Sequence, residues 1–261
     1  MDNVAGRLRT TGLVWDFLLT VIIWIYYIAG FGVFFSFLYV FRLFPAKDRE
    51  ASFQKTNAFF LRTFFRVLGI LLPRTSWHIT PEVKSIRSSV IIANHLSFLD
   101  PILLASLFPR QKTIVKSRYF PLPVFGWILK SSGYIPAFTS GKDTAILFEQ
   151  MDKMKQYLAA GGNIFIFPEG TRSRTGQLGA FDKGAFRIAR QCGAPLKILF
   201  IAGTGKLYPP DSFLFKTREE IKISVDLIKT MTPDGENYES VSAMITEAKT
   251  AINDRINQIS H

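Results

Sequence analysis

The sequence holds a single cysteine, Cys192, in 261 residues. One thiol excludes an intrachain disulfide and a metal site built on cysteines, and it gives no sign of an oxidising compartment. Histidine is nearly as scarce. Of the three, His78 falls in a predicted strand and His261 is the last residue, which leaves His95 as the one well placed for chemistry. Acidic residues number 20 against 32 Lys and Arg, for a net charge of +12. No Lys/Arg-rich run, zinc-ligand spacing or RNA-binding aromatic signature accompanies that charge, so nucleic acid is not the expected partner. There is no G-x-S-x-G elbow to raise a serine nucleophile. Ser140-Gly141-Lys142 is not a P-loop, because no Gly lies five residues before Gly141 and Asp143 stands where a Ser or Thr is required. Internal repeats and low-complexity tracts are absent. Charge is missing altogether over Phe17–Phe41, a run of 25 positions.

What is present is apolar and aromatic: 48 % hydrophobic residues, 25 Phe and a mean hydropathy of +0.18. With the positive charge, this composition points to an anionic membrane surface or to phosphate-bearing ligands. As a helix, Phe17–Phe41 is long enough to cross a bilayer. It is too long for a signal-peptide core, and no small-residue cleavage site follows it. Gly30 and Gly32 near its middle offer a second form, two short helices in a hairpin within one leaflet, and that is the form favoured here. Basic residues flank both ends (Arg7 and Arg9, then Arg42, Lys47 and Arg49), so charge asymmetry does not set the topology. Next, Ala51–Leu72 is dense in Phe and Leu, with Lys55, Arg62 and Arg66 on one helical face. The pattern predicts a helix lying at the membrane interface with its cations toward headgroups, ended by Pro73. The chain therefore divides into a membrane-associated helical segment, 1–74, and a soluble-looking domain, 75–261.

From Trp77 the pattern is α/β. Short apolar runs predict strands at Trp77–Thr80, Ser89–Ala93, Thr113–Lys116, Gly133–Pro136, Asn163–Phe167, Leu196–Ala202 and Ile221–Val225. Helices are predicted at Pro101–Phe108, Val124–Ser131, Asp143–Ala160 and Gly184–Gln191. The third of these carries Leu147, Phe148, Met151, Met154 and Leu158 on one face and stops at Gly161-Gly162. Met231–Asn237 reads as a polar linker. Val241, Met244, Ile245, Ala248, Ile252 and Ile256 then mark a terminal amphipathic helix.

Two strand ends carry the chemistry. Ser89–Ala93 opens into Asn94-His95-Leu96-Ser97-Phe98-Leu99-Asp100, and Asp100-Pro101 reads as a helix cap followed by the first helical position. His95 and Asp100 then lie at opposite ends of one strand-to-helix loop, at the carboxyl end of a strand where α/β proteins place ligands. The loop can fold so that the carboxylate meets the imidazole and fixes its tautomer, which makes a general base. A chance pairing five residues apart is the competing reading. Ser97 fits a loop-bracing role better than that of a nucleophile. The second strand, Asn163–Phe167, opens into Pro168-Glu169-Gly170-Thr171-Arg172-Ser173-Arg174. Gly170 frees the backbone, the hydroxyls of Thr171 and Ser173 can donate, and Arg172 and Arg174 present planar forks suited to phosphate. A solvated basic turn is the alternative.

Together these motifs resemble the glycerolipid acyltransferase family, the 1-acylglycerol-3-phosphate acyltransferases and their relatives. His95 and Asp100 look like its H-x4-D motif, and Phe167-Pro168-Glu169-Gly170-Thr171-Arg172 like its E-G-T-R motif. Lys116-Ser117-Arg118-Tyr119-Phe120-Pro121-Leu122-Pro123-Val124-Phe125-Gly126 is similar to the intervening K-x3-[LF]-x2-P-x2-G stretch, and Phe181-Asp182-Lys183-Gly184-Ala185 to F-x-x-G-A. The likeness covers about Trp77–Val225. It implies an α/β fold with a mixed sheet flanked by helices, behind a hydrophobic N-terminal membrane anchor. It implies transfer of an acyl group from a thioester, acyl-coenzyme A or acyl-carrier protein, to the hydroxyl of 1-acylglycerol 3-phosphate. Glycerol 3-phosphate or another lysophospholipid is the alternative acceptor, and a non-catalytic lipid-binding protein is the alternative class. In the enzyme reading His95 is the base and Asp100 orients it. Arg172 and Lys116 hold phosphate, and Glu169, Gly170 and Thr171 shape that subsite. No metal or prosthetic group is implied. The expected setting is a bacterial inner membrane or an endomembrane, with the site on the cytoplasmic face.

Overall fold

The computed structural model describes residues 2–34, 36–37, 48–123, 125–137, 144–235, 238 and 240–260. Outside them fall the end of the uncharged run with Arg42 and Lys47, the 138–143 segment that holds the rejected P-loop, Val124, Asn237 and His261. The helices are α1 (Asp2–Ala29), α2 (Arg49–Leu71), α3 (Pro81–Ser85), α4 (Leu99–Leu107), α5 (Phe125–Ser131), α6 (Thr144–Ala159), α7 (Gly184–Cys192), α8 (Thr204–Leu207) and α9 (Val241–Ser260). The strands are β1 (Thr75–Ile79), β2 (Val90–Ala93), β3 (Gln111–Val115), β4 (Ile135–Pro136), β5 (Asn163–Ile166), β6 (Leu196–Ala202) and β7 (Ile221–Met231). They form one sheet in the order β1-β7-β6-β2-β5-β3-β4. Every neighbouring pair is parallel except β6 and β7, so the sheet is mixed, as the sequence led us to expect.

Strand β2 sits in the middle of this sheet and is buried along its whole length. Its alternation divides the core. Val90 and Ile92 join the cluster under α6, α7 and α9, with Leu158, Phe186 and Ile252, while Ile91 and Ala93 join the cluster under α1, α2 and α4, with Ile23, Leu68 and Leu103. A strand covered on both faces needs apolar side chains at every position, which is why Val90-Ile91-Ile92-Ala93 shows no polar alternation.

Helix α2 departs from the expectation of an interfacial helix. It buries Phe53, Phe60, Phe64 and Leu68, and also the polar Gln54 and Asn57. Gln54 donates to the Ser132 carbonyl at 2.8 Å and accepts from the Tyr157 hydroxyl at 2.8 Å, and Asn57 donates to Ser132 Oγ at 2.9 Å. Arg62 Nε–H donates to the Ser106 carbonyl at 2.8 Å. Most of the apolar surface of α2 is therefore spent on protein, each buried Phe contributing about 1.5–3 kcal/mol. Beyond the first residue, Arg49, a stripe of Lys55, Phe59, Arg62, Arg66 and Ile70 stays exposed.

Helix α1 is continuous to Ala29 and then widens into a π-helical turn over Gly30–Phe34, where the sequence pattern favoured a hairpin between two short helices. Gly12–Val33 has a mean hydropathy of 1.9 and is long and apolar enough to span a bilayer. One side docks on the domain. Asp16 Oδ1 accepts from the Thr217 backbone N–H at 3.2 Å and from its hydroxyl, and Thr20 Oγ accepts from the Phe215 N–H at 2.9 Å. Trp24 packs on Phe98, Tyr208 and Phe215. The other side presents Leu13, Val14, Trp15, Phe17, Leu18, Ile22, Ile25 and Ile28 to the surroundings. An apolar face of this extent marks a membrane-associating surface.

Two boundaries also differ. Helix α4 begins at Leu99, with Phe98 at the cap position and Asp100 inside the first turn, because the Asp100 carboxylate is engaged by the preceding loop. Strand β7 runs on to Met231, whose side chain is buried in the core, so the predicted linker starts one residue later.

Candidate active site

The loop leaving β2 folds tightly onto Asp100. Its Oδ2 accepts from the Leu96 N–H at 2.6 Å, the Ser97 N–H at 2.7 Å and His95 Nδ1–H at 2.9 Å. Asp100 is fully buried, whereas the His95 side chain keeps 15 % of its exposure. A carboxylate with three donors on one oxygen is held in place by the backbone, and the imidazole that leans on it is thereby oriented. The ring stacks on Phe167, with centroids 4.3 Å apart and planes inclined by 24°. Ser97 is buried, its hydroxyl donating to the Tyr208 carbonyl at 2.8 Å, a bracing position rather than a nucleophile's. Asn94 closes the other side. Its amide donates to the Ile201 carbonyl and accepts from the Ile201 N–H, both at 2.8 Å, tying the end of β2 to β6.

The loop leaving β5 is strapped to the first. Glu169 Oε1 accepts from the His95 N–H and Oε2 from the Gly179 N–H, both at 3.0 Å. The Ser173 N–H donates to the His95 carbonyl at 2.8 Å. Gly170 between these anchors has φ +64°, a left-handed backbone that a side chain would strain. The strand pairing explains the encounter. β2 and β5 are parallel neighbours, so both loops leave the same sheet end.

Between them opens a cleft of about 940 Å³. His95, Lys116, Gly170, Thr171 and Arg172 all line it. Asp100 and Glu169 stand behind the wall, each holding backbone. Sequence reasoning did not place Arg118, Tyr119 or Asp211 here, yet they line the same space. Arg118 carried a signal, a second cation two residues after Lys116. Asp211 carried none, since it reaches the cleft through the connection after α8, where its carboxylate lies 3.7 Å from Arg174. Burial pushes the Tyr208 hydroxyl up from its ordinary range, an effect that the Arg172 guanidinium partly offsets. A base fixed by a carboxylate, beside a cationic wall, can take a proton from a hydroxyl on an anionic substrate.

Comparison with known proteins bears on this arrangement. Residues 76–201 match the family model described as acyltransferase. The matched region contains both loops and the intervening basic segment. The chain is 39 % identical over 123 residues to the chloroplastic 1-acyl-sn-glycerol-3-phosphate acyltransferase of Brassica napus, covering 47 % of this chain and 35 % of that one. It is 27 % identical over 198 residues to the 1-acyl-sn-glycerol-3-phosphate acyltransferase of Pseudomonas aeruginosa, covering 74 % and 75 %. The chain thus spans about a third of the length of the first relative and three quarters of the second. The crystal structure of the 1-acyl-sn-glycerophosphate acyltransferase of Thermotoga maritima superposes with a TM-score of 0.71 at 22 % identity, over 94 % of this chain and 97 % of that one. That likeness extends the shared fold beyond the matched region to the N-terminal helices.

Proposed function

We propose that this protein is a membrane-bound acyltransferase that moves a fatty acyl group from a thioester to the free hydroxyl of 1-acylglycerol 3-phosphate, forming phosphatidic acid. The observation that carries the reading is the His95–Asp100 pair opening on the same cleft as Lys116 and Arg172. With Nδ1 bound to Asp100, Nε2 is the base. It takes the proton of the acceptor hydroxyl as that oxygen attacks the thioester carbonyl carbon. The tetrahedral intermediate collapses, the C–S bond breaks, and the imidazolium returns the proton to the departing thiolate. The acceptor is itself the nucleophile, so no acyl-enzyme is required. Asp100 stabilises the imidazolium and keeps its orientation.

Arg172, a planar fork, and Lys116, a point charge, hold the acceptor phosphate and so bring its hydroxyl to His95. Gly170 and Thr171 shape that subsite directly, and Glu169 shapes it from behind. The donor is acyl-coenzyme A or acyl-carrier protein. Segment 1–74 supplies the bilayer contact and residues 75–261 the chemistry, although α2 shares the core of both. The membrane is a bacterial inner membrane or an endomembrane, with the cleft on its cytoplasmic face. The test is a transfer assay on purified protein with both donors, offered lysophosphatidic acid, lysophosphatidylcholine and glycerol 3-phosphate. We expect phosphatidic acid from the first acceptor. Preference for another acceptor would change the substrate, and no transfer at all would leave a lipid-binding protein.

A further inference from the structure

The basic segment after β3 continues into a structure that the proposed reaction does not use. From Lys116 to Leu122 the backbone is wound into consecutive tight turns. The Tyr119 N–H donates to the Lys116 carbonyl at 3.0 Å, Phe120 N–H to Ser117 at 3.1 Å, Leu122 N–H to Tyr119 at 3.3 Å and Gly126 N–H to Leu122 at 2.8 Å, after which α5 begins. Gly126 makes the winding possible, since a Cβ there would stand 2.1 Å from the Phe120 carbonyl oxygen. A segment held this firmly would be expected to fold its apolar side chains inward. Instead Leu122, Phe125 and Trp127 remain 45 %, 44 % and 48 % exposed. None of the three lines the cleft, although Tyr119, edge-on to Phe125 at 6.0 Å, does.

These side chains connect to α1 through a buried aromatic cluster. Trp127 packs edge-on against Phe53 of α2 at 5.3 Å. Ile128, on the next position of α5, joins the small cluster in which Phe53 and Phe60 meet Tyr26, Tyr27 and Phe31. Beyond that cluster the exposed residues are Ile25, Ile28 and Val33 along α1 and its π turn, and Phe59 on α2. Cations border the exposed tips at both ends, with exposed Arg118 before them and exposed Lys130 after them. Apolar tips framed by Lys and Arg, on a chain of net charge +12, match an anionic bilayer surface: the tips fit among acyl chains and the cations among phosphates.

We infer that Leu122, Phe125 and Trp127 form a second membrane-contacting element, a wedge that inserts into the leaflet that α1 occupies, so that the two together set the cleft mouth against the lipid surface. The inference rests on the membrane-enzyme reading for its purpose, but its physical content is contact with lipid.

The test uses the full-length chain in a Cys192→Ser background, with Leu122→Cys, Trp127→Cys and, as a control on α9 over the opposite sheet face, Asn253→Cys. Each is labelled with an environment-sensitive fluorophore and bound to vesicles of phosphatidylglycerol and phosphatidylcholine. Labels at 122 and 127 should shift to the blue and be quenched by lipids carrying a spin label on the acyl chain, while the label at 253 should not respond. In parallel, the triple variant Leu122→Ser, Phe125→Ser, Trp127→Ser, its fold checked by circular dichroism and thermal melting, should lose roughly tenfold or more in vesicle affinity. Unquenched labels at 122 and 127 in protein that is nevertheless bound to vesicles would overturn the wedge, as would their burial by a protein partner. The quenching readout needs no turnover. A failed transfer assay with quenched labels would overturn the enzyme reading and keep the wedge, and active protein with unquenched labels would do the reverse.

Discussion

The Glu169 carboxylate reaches across from the β5 loop to accept the backbone N–H of His95 at 3.0 Å, while its second oxygen accepts the N–H of Gly179. The acidic residue of the E-G-T-R motif thus holds in register the loop that carries the imidazole, and it does so through the main chain.

Glu169→Ala should leave both N–H groups without this acceptor. The His95 N–H is part-buried, so loss of its charge-assisted acceptor costs about 1–3 kcal/mol, whereas the exposed Gly179 N–H can turn to water. We expect a lower melting temperature and a larger fall in turnover than in acceptor affinity, because the displaced group is the base. Glu169→Gln keeps one acceptor oxygen and should recover part of both. Thermal melts beside steady-state kinetics on the two variants check this, and wild-type values for Glu169→Ala would remove the strap from the account.

His95→Ala should lower turnover by roughly 10²–10⁴-fold, the range for positioned acid–base catalysis. Asp100→Asn should also impair turnover, since a neutral amide no longer stabilises the imidazolium. Asp100→Ala should in addition destabilise the fold, because the Leu96 and Ser97 N–H groups lose their acceptor. Single-turnover rates with chemical denaturation separate the two effects. Near-normal turnover in a folded His95→Ala protein would refute the proposed base.

Arg172→Ala should raise the KM for a phosphorylated acceptor while leaving the donor KM close to wild type. Arg172→Lys should rescue only in part, as a point charge replaces a two-pronged donor. Two-substrate kinetics decide this. A change confined to the donor would move Arg172 to the other substrate.

Cys192 should resist alkylation. Burial pushes its thiol up to about 11, and Sγ lies 3.7 Å from Met151 Sδ. At pH 8 iodoacetamide should modify the native protein far more slowly than the denatured one. A raised folded value favours the protonated thiol, so its contribution to stability is complete below the ordinary thiol range near 8.5 and is lost as pH climbs toward 11. Equal alkylation rates in native and denatured protein would show the side chain to be accessible.

Local chemistry alone determined a good deal of this protein. Apolar runs without polar alternation announced buried strands, and Asn163–Ile166 and Leu196–Ala202 lie where the pattern put them because both faces of the sheet are covered. The short span from His95 to Asp100 kept the imidazole and carboxylate within one loop, and the charge-free run marked an apolar helix. Tertiary structure decided the rest. Helix α2 reads as interfacial from its Phe, Leu and cation pattern, yet it is a core helix, since a stretch of Phe is equally content against lipid or protein and only its neighbours choose. Asp100 reads as a cap until the loop's own N–H groups claim its carboxylate. The meeting of Lys116, Arg172 and His95 on one cleft depends on β3, β5 and β2 lying side by side in parallel, a long-range pairing that no local window of residues encodes.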